Sequence, residues 1–226
     1  MKEPLLTCRS VAIEKGGKTV LEGIDLDITQ GEIFAMVGGD GTGKSALLLA
    51  CAGISPPLRG EVRLFGLNPF NVGRDKIRSL RSRLGLVFQD GALISNMTIF
   101  QNLALPLRYH LGHEGAILER RVGEKMKEFG LEPFRDELPA NVPAGRRKMA
   151  GVARATILGP EMLFCDEPFT WLDRKEEQKL LEVFHRVQAF QGAIILIMSD
   201  IQRALQIADR IGSLEKGGMK IREGRS

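Results

Sequence analysis

Ile33-Phe34-Ala35-Met36-Val37-Gly38-Gly39-Asp40-Gly41-Thr42-Gly43-Lys44-Ser45 is the stretch from which the rest of the chain can be read. The opening apolar run, Ile33 to Val37, suits a strand buried on both faces. The residues from Gly38 to Ser45 fit G-x-x-x-x-G-K-[ST], and a helical run, Ala46 to Cys51, follows at once. Glycines let successive backbone N–H groups turn inward on phosphates, and the helix N-terminus adds its positive dipole end. Lys44 is expected to neutralise β- and γ-phosphate charge, and the Ser45 hydroxyl to ligate Mg²⁺. Candidate phosphate-binding residues are therefore Gly38, Gly39, Asp40, Gly41, Thr42, Gly43, Lys44, Ser45 and Ala46. With 26 glycines in the chain, a glycine-rich turn could fit this pattern by accident. The strand before it and the helix after it select the phosphate reading.

Such a cradle works with an acidic group that holds the metal and a second that handles water. Met162-Leu163-Phe164-Cys165-Asp166-Glu167 supplies both at the end of a continuous apolar run. In open parallel sheets ligands collect beyond the strand C-termini. Asp166 is expected to hold the metal through its water shell, and Glu167 to orient or deprotonate the attacking water. The alternative is that Asp166-Glu167 caps the following helix, read over 174–190 with Leu180, Leu181, Phe184 and Val187 on one side.

Outward from these motifs, strand-like and helix-like segments alternate, the pattern of a mostly parallel α/β sheet covered by helices. Leu5 to Ile13, Ile24 to Ile28, Val62 to Leu64 and Leu84 to Phe88 read as further strands. Ala193 to Met198 reads as a doubly buried one, and Met219 to Glu223 as strand-like. From Thr98 to about Leu131 the pattern is helical, with amphipathic Ala116 to Phe129 stopped by Gly130. Pro133, Pro139 and Pro143 then punctuate a linker. The chain reads as a single domain: a core of residues 1–89 and 146–226, and a helical subdomain of residues 90–145.

Composition bounds the function. The 226 residues carry 43% hydrophobic residues, enough for a substantial core. The longest apolar run is far short of the roughly 20 residues a membrane-spanning helix needs. Met1-Lys2-Glu3-Pro4 shows no apolar secretory segment, and Ser226 follows closely on the last strand-like run. A chain confined to the side of the membrane where it was made, without a long C-terminal domain, is the expectation. Cys8, Cys51 and Cys165 form no C-x-x-C pair, which disfavours a disulfide framework or zinc site. Positive residues cluster at Arg74, Lys76, Arg78, Arg81 and Arg83, and at Arg146, Arg147 and Lys148. Solvated helix faces account for a net charge of only +4, and aromatics at 6% are too few for stacking nucleic-acid bases. No nucleic-acid partner is expected.

At these residues the chain resembles an ABC ATPase over nearly its whole length. The resemblance implies the fold of that P-loop NTPase class: a mostly parallel sheet core, an N-terminal antiparallel strand region and an inserted helical subdomain. It also implies ATP and Mg²⁺ as cofactors. Val87-Phe88-Gln89-Asp90 resembles the family's Q-loop, which makes Gln89 a candidate metal-sensing and catalytic residue beside Glu167 and Lys44. The metal set is then Ser45, Gln89 and Asp166. Pro168 to Asp173 resembles the D-loop, with Asp173 as its aspartate. Gly91-Ala92-Leu93, Phe100 to Leu107 and Phe169-Thr170 resemble the Mla branch, which powers lipid transport with MCE-domain proteins. That implies integral membrane permease partners, a second ATP-binding subunit (identical or not), an MCE-domain lipid-binding protein, and a peripheral place on the cytoplasmic face of the inner membrane. Leu93 to Leu107 is either the permease-docking surface or the helical subdomain's own core.

The departures from the family are equally informative. Val142-Pro143-Ala144-Gly145-Arg146 falls where the family carries its LSGGQ signature, so Pro143 replaces the serine and Ala144 the first glycine. Ser199 stands where the switch histidine is expected, and Lys15 near the place of the adenine-stacking aromatic. His110, His113 and His185 lie elsewhere in the sequence. Two function classes follow: a transport motor, or a module that binds ATP with little turnover. A soluble ABC protein acting on DNA or ribosomes is disfavoured, because long coiled-coil insertions, zinc modules and tandem ATPase units are missing from the sequence.

Overall fold

The computed structural model describes residues 3–215 and 217–225; Met1-Lys2 and Ser226, used above to read the termini, lie outside them. The first strands are β1 (Leu6–Lys15) and β2 (Lys18–Ile28). A Gly16-Gly17 turn joins them, with both residues left-handed at φ 60° and 75°, the geometry a two-residue hairpin needs. β2 therefore starts well before Ile24. Its first half is paired but mostly exposed, with Leu21 the one buried residue before Ile24, so no apolar run marks it. β4 (Arg59–Leu64) also pairs with β1, giving an antiparallel sheet in the order β2-β1-β4.

The second sheet contains β3 (Ile33–Val37), β5 (Leu84–Val87), β6 (Met162–Asp166), β7 (Ala193–Met198), β8 (Arg210–Glu215) and β9 (Gly218–Glu223). Its order is β5-β6-β7-β3-β8-β9, parallel throughout except for β9. The α/β expectation with an antiparallel N-terminal region holds. β8 went unread because Gly212-Ser213 interrupts its apolar residues. The glycine is a packing requirement: a Cβ there would stand 2.6 Å from Met219 Sδ and 2.7 Å from Phe34 Cζ.

β3, β6 and β7 are buried at nearly every position, and their alternate side chains serve two cores. Phe34, Met36, Phe164, Ile195 and Ile197 pack with the antiparallel sheet and α1 (Lys44–Cys51). Ala35, Leu163, Cys165, Ile194 and Leu196 pack on the helical side. Each fully buried large aliphatic or aromatic side chain contributes roughly 1.5–3 kcal/mol, so these runs, apolar on both faces, anchor the fold.

The helical side holds α3 (Ile99–Leu111), α4 (Gly115–Phe129), α5 (Ala144–Thr156), α6 (Arg174–Ala189) and the short α7 (Ile201–Ile207). The continuous helical pattern read from Thr98 to Leu131 is split by Gly112, left-handed at φ 62°. Thr98 caps α3 in a capping box with Gln101, and Gly130 ends α4 in the left-handed conformation. Ile99, Leu103, Ala104 and Leu107 are core, whereas Ile94 is exposed and Leu105 and Pro106 are half-buried. The boundary drawn at residue 145 falls within the first turn of α5. On α2 (Arg74–Ser82), Arg74, Lys76, Arg78 and Arg81 are exposed and Leu80 is buried, a solvated amphipathic face. Among the described residues no helix is long and apolar enough to cross a membrane.

Overpacking a tight core position typically costs 1–3 kcal/mol. Gly212→Val should therefore lower the melting temperature by about 2–4 °C per kcal/mol lost in a domain of this size, measured by thermal unfolding. An unchanged Tm would contradict the close β8–β9–Phe34 contact.

Candidate nucleotide site

Parallel register places three strand ends side by side. Val37 of β3 pairs with Met198 of β7, and Asp166 of β6 pairs with Ile197. The segments that leave these ends are the glycine-rich loop, Glu167 and Ser199. The loop ends at Gly43, which is left-handed at φ 93° and caps α1 without a side-chain hydrogen bond. The first-turn N–H groups of α1 are thus uncommitted and point out of the helix end. Thr42 Oγ1 donates to the Gly39 carbonyl at 2.9 Å. Buried Lys44 donates from Nζ to the Gly38 and Gly39 carbonyls at 2.7 and 2.8 Å.

A cleft of about 310 Å³ gathers Asp40 through Ala46 with Gln89, Asp166 and Glu167. Lys15 reaches its rim from the end of β1, where the sequence places no aromatic. Gly38 and Gly39 line an adjoining cavity of about 520 Å³ together with Asp40 and Ser199. Pro143 to Arg146 line neither. Pro143 instead caps α5 with no side-chain bond, and Arg146 pairs with buried Glu176 at 3.3 Å.

Glu167 is the most constrained residue of the cleft. Its φ of 45° is unusual for a residue with a side chain, a strain of order 1–3 kcal/mol that surrounding contacts must hold. Its N–H donates to the Ile197 carbonyl at 3.1 Å. Its own carbonyl accepts from Lys148 Nζ at 2.6 Å, and its carboxylate accepts from the Ser199 hydroxyl. Lys148 Nζ also donates to the Gln89 carbonyl at 2.9 Å. Burial lowers the Lys148 pKa to about 8, and burial raises the Cys165 thiol far above its ordinary range.

Helix capping does not explain the acidic pair. α6 is capped by Asp173, whose carboxylate accepts from the Glu176 N–H at 2.8 Å, with Glu176 returning a bond to the Asp173 N–H at 3.0 Å. Asp166 and Glu167 remain at the cleft. Two partners went unread in the sequence. The reading of Arg146-Arg147-Lys148 as a solvated face fails at Lys148, which is 1% exposed and lies one turn from buried Val152 on the inward face of α5. Ser199 registers in the sequence as a missing histidine, and the bond it makes to Glu167 depends on β6–β7 register.

The donor set suits a nucleoside triphosphate with a hard cation. The uncommitted N–H groups and the Lys44 ammonium are anion donors, and the Ser45 hydroxyl and Asp166 carboxylate are oxygen ligands of the kind Mg²⁺ prefers. Comparison with known proteins places the arrangement: the family model described as ABC transporter matches residues 21–170. The chain belongs to the ABC transporter family of ATP-binding domains.

Among curated members, this ABC domain is 31% identical over 204 residues to the methionine import ATP-binding protein MetN of Caulobacter vibrioides, covering 90% of this chain and 61% of that protein. It is 33% identical over 200 residues to the probable ribonucleotide transport ATP-binding protein mkl of Mycobacterium leprae, covering 88% and 58%. The chain thus spans less than two thirds of the length of these relatives. Among solved structures, it superposes with a TM-score of 0.87 on a dimeric ATP-binding cassette in a post-hydrolysis state bound to ADP and Pi, at 25% identity and covering 98% and 99% of the two chains.

Lys44→Ala should weaken nucleotide binding by about 10- to 10²-fold, because a charged hydrogen-bond donor contributes roughly 1.5–3 kcal/mol. Equilibrium titration with a fluorescent ATP analogue measures this. Unchanged affinity would contradict the cleft as the phosphate site.

Proposed function

We propose that this ABC domain binds Mg²⁺-ATP in the 310 Å³ cleft and couples its hydrolysis to transport by integral membrane permease subunits. One observation carries the proposal: the Glu167 carboxylate, the Asp166 carboxylate, Gln89, Lys44 and Ser45 share that cleft, although they come from separate segments of the chain. In this reading the α1 N–H groups and Lys44 hold the phosphates, while Ser45, Asp166 and Gln89 serve the metal. Glu167 orients or deprotonates the attacking water. Bound Mg²⁺ would supply charge neutralisation at the transferred phosphoryl group.

The division into a core of residues 1–89 and 146–226 and a helical subdomain of residues 90–145 is part of the same proposal, with the exposed and half-buried residues Ile94, Leu105 and Pro106 as the docking patch. A second ATP-binding subunit, identical or related, completes a head-to-tail pair; the dimeric assembly of the superposed cassette supports this. The domain then sits peripherally on the cytoplasmic face of the membrane. A lipid or other hydrophobic substrate, and an MCE-domain partner, rest on the Mla-like stretches at Gly91-Ala92-Leu93 and Phe100 to Leu107. The curated relatives carry methionine and ribonucleotide transport in their names, so the substrate assignment draws nothing from them.

A second reading has its own observation. The Ser199 hydroxyl occupies the Glu167 carboxylate, and Pro143 and Ala144 stand where a hydroxyl and a glycine donor would face a partner's nucleotide. Each such phosphate contact is worth on the order of 10²- to 10³-fold in rate. A subunit that closes on ATP and seldom hydrolyses it, acting as a regulatory or structural half, fits those features.

Turnover of Ser199→His tests the switch assignment on which the second reading draws. If Ser199 is the switch position, the histidine raises steady-state hydrolysis by up to about 10²-fold at unchanged ATP affinity. No gain, with binding intact, contradicts that assignment. Light scattering supplies a companion test: Glu167→Gln with Mg²⁺-ATP should shift the mass from monomer to dimer. A persistent monomer at high protein concentration would count against a self-paired motor.

A further inference from the structure

Lys148 is a charged side chain that the hydrolytic reading leaves without a role. It is 1% exposed, and its ammonium donates to two backbone carbonyls, Gln89 at 2.9 Å and Glu167 at 2.6 Å. A buried ammonium is costly unless its donors are used. Here they join two loops that are far apart in sequence and flank the cleft: one follows β5 and the other follows β6. Lys148 itself belongs to α5, the helix that Pro143 opens.

α5 grips the Gln89 loop at further points. Arg154 Nη2 donates to the Gly91 carbonyl at 3.2 Å. A Cβ at Gly151 would stand 2.7 Å from Gly91 O, and one at Gly91 would stand 2.8 Å from Arg147 O. Helix and loop therefore meet backbone on backbone. On the other side, Glu167 at φ 45° keeps an uncommon conformation that must be held from outside. The Ile197 carbonyl holds its N–H, and Lys148 holds its carbonyl.

We propose that Lys148 is a positioning residue that ties the Gln89 loop and α5 to the backbone of Glu167, so that displacement of one moves the other. It acts through Glu167 and stands behind the cleft, which it does not line. The proposal rests on Glu167 as the hydrolytic carboxylate and adds how that carboxylate is aimed and how a shift of the helical side would reach it.

The test uses Lys148→Met, which replaces the apolar stem of the side chain with one of similar bulk and removes its donors. Turnover should fall by about 10²-fold, the usual consequence of a misplaced reacting group, while ATP affinity stays within about threefold. In a Glu167→Gln background the same substitution should change residual turnover by less than about twofold, since the residue acted through is already disabled. A full additional loss there, or normal turnover in the single variant, overturns the proposal. Amide hydrogen exchange supplies an arm independent of catalysis. Amides 89–92 and 167–170 should exchange faster together in Lys148→Met, with those of β3 and β7 unchanged. Wild-type exchange at both loops, or acceleration at only one, overturns the tie. If the wild type shows no turnover above Glu167→Gln, the hydrolytic reading fails while the exchange arm still decides the tie. Should Lys148→Met not fold, Lys148→Gln, whose neutral amide falls one atom short of the lysine nitrogen, carries the same exchange test and the same contrary outcome.

Discussion

Parallel pairing of β7 with both β3 and β6 sets where the chemistry can occur. These strands are apolar on both faces, so a shift of register would exchange the contents of two cores and is strongly resisted. Because the register is held, Val37, Asp166 and Met198 end at one edge of the sheet. A glycine loop, an acidic pair and a serine leave from that edge. Neither the cradle nor the acidic pair is a site alone; the sheet core brings them into one cleft.

The same edge concentrates electrostatic and conformational cost. Lys44 lies buried on carbonyls of its own loop, Lys148 lies buried on carbonyls of two others, and Glu167 adopts a left-handed backbone between them. Costs of this kind persist where contacts over-determine the geometry, and they collect at functional sites. The compensation is visible here: almost every polar atom of Glu167 has a partner, and α6 carries its own capping box, so the acidic pair is free of any capping duty.

Much of this was legible in sequence, for local reasons. β3 and β7 are read to the residue because uninterrupted apolar runs leave no ambiguity of face, and the cradle is read because its spacing is itself the geometry. β8 was hidden by Gly212-Ser213, and the first half of β2 by its mostly exposed residues. The split of one helical pattern into α3 and α4 turns on the left-handed Gly112. Lys148 could not be read, since a lysine in a basic triplet looks solvated until the opposing loops are in place. Ser199 registers in sequence as a loss. Only the packed strands reveal that its hydroxyl meets the Glu167 carboxylate.

Steady-state ATP hydrolysis by the purified chain, with and without permease subunits and against Glu167→Gln as the blank, tests the central claim most directly. A positioned general base is worth about 10²- to 10⁴-fold, so the wild type should exceed the blank by at least about 10²-fold in one of the two settings. Equal rates in both, with Mg²⁺-ATP bound, would contradict Glu167 as the hydrolytic carboxylate.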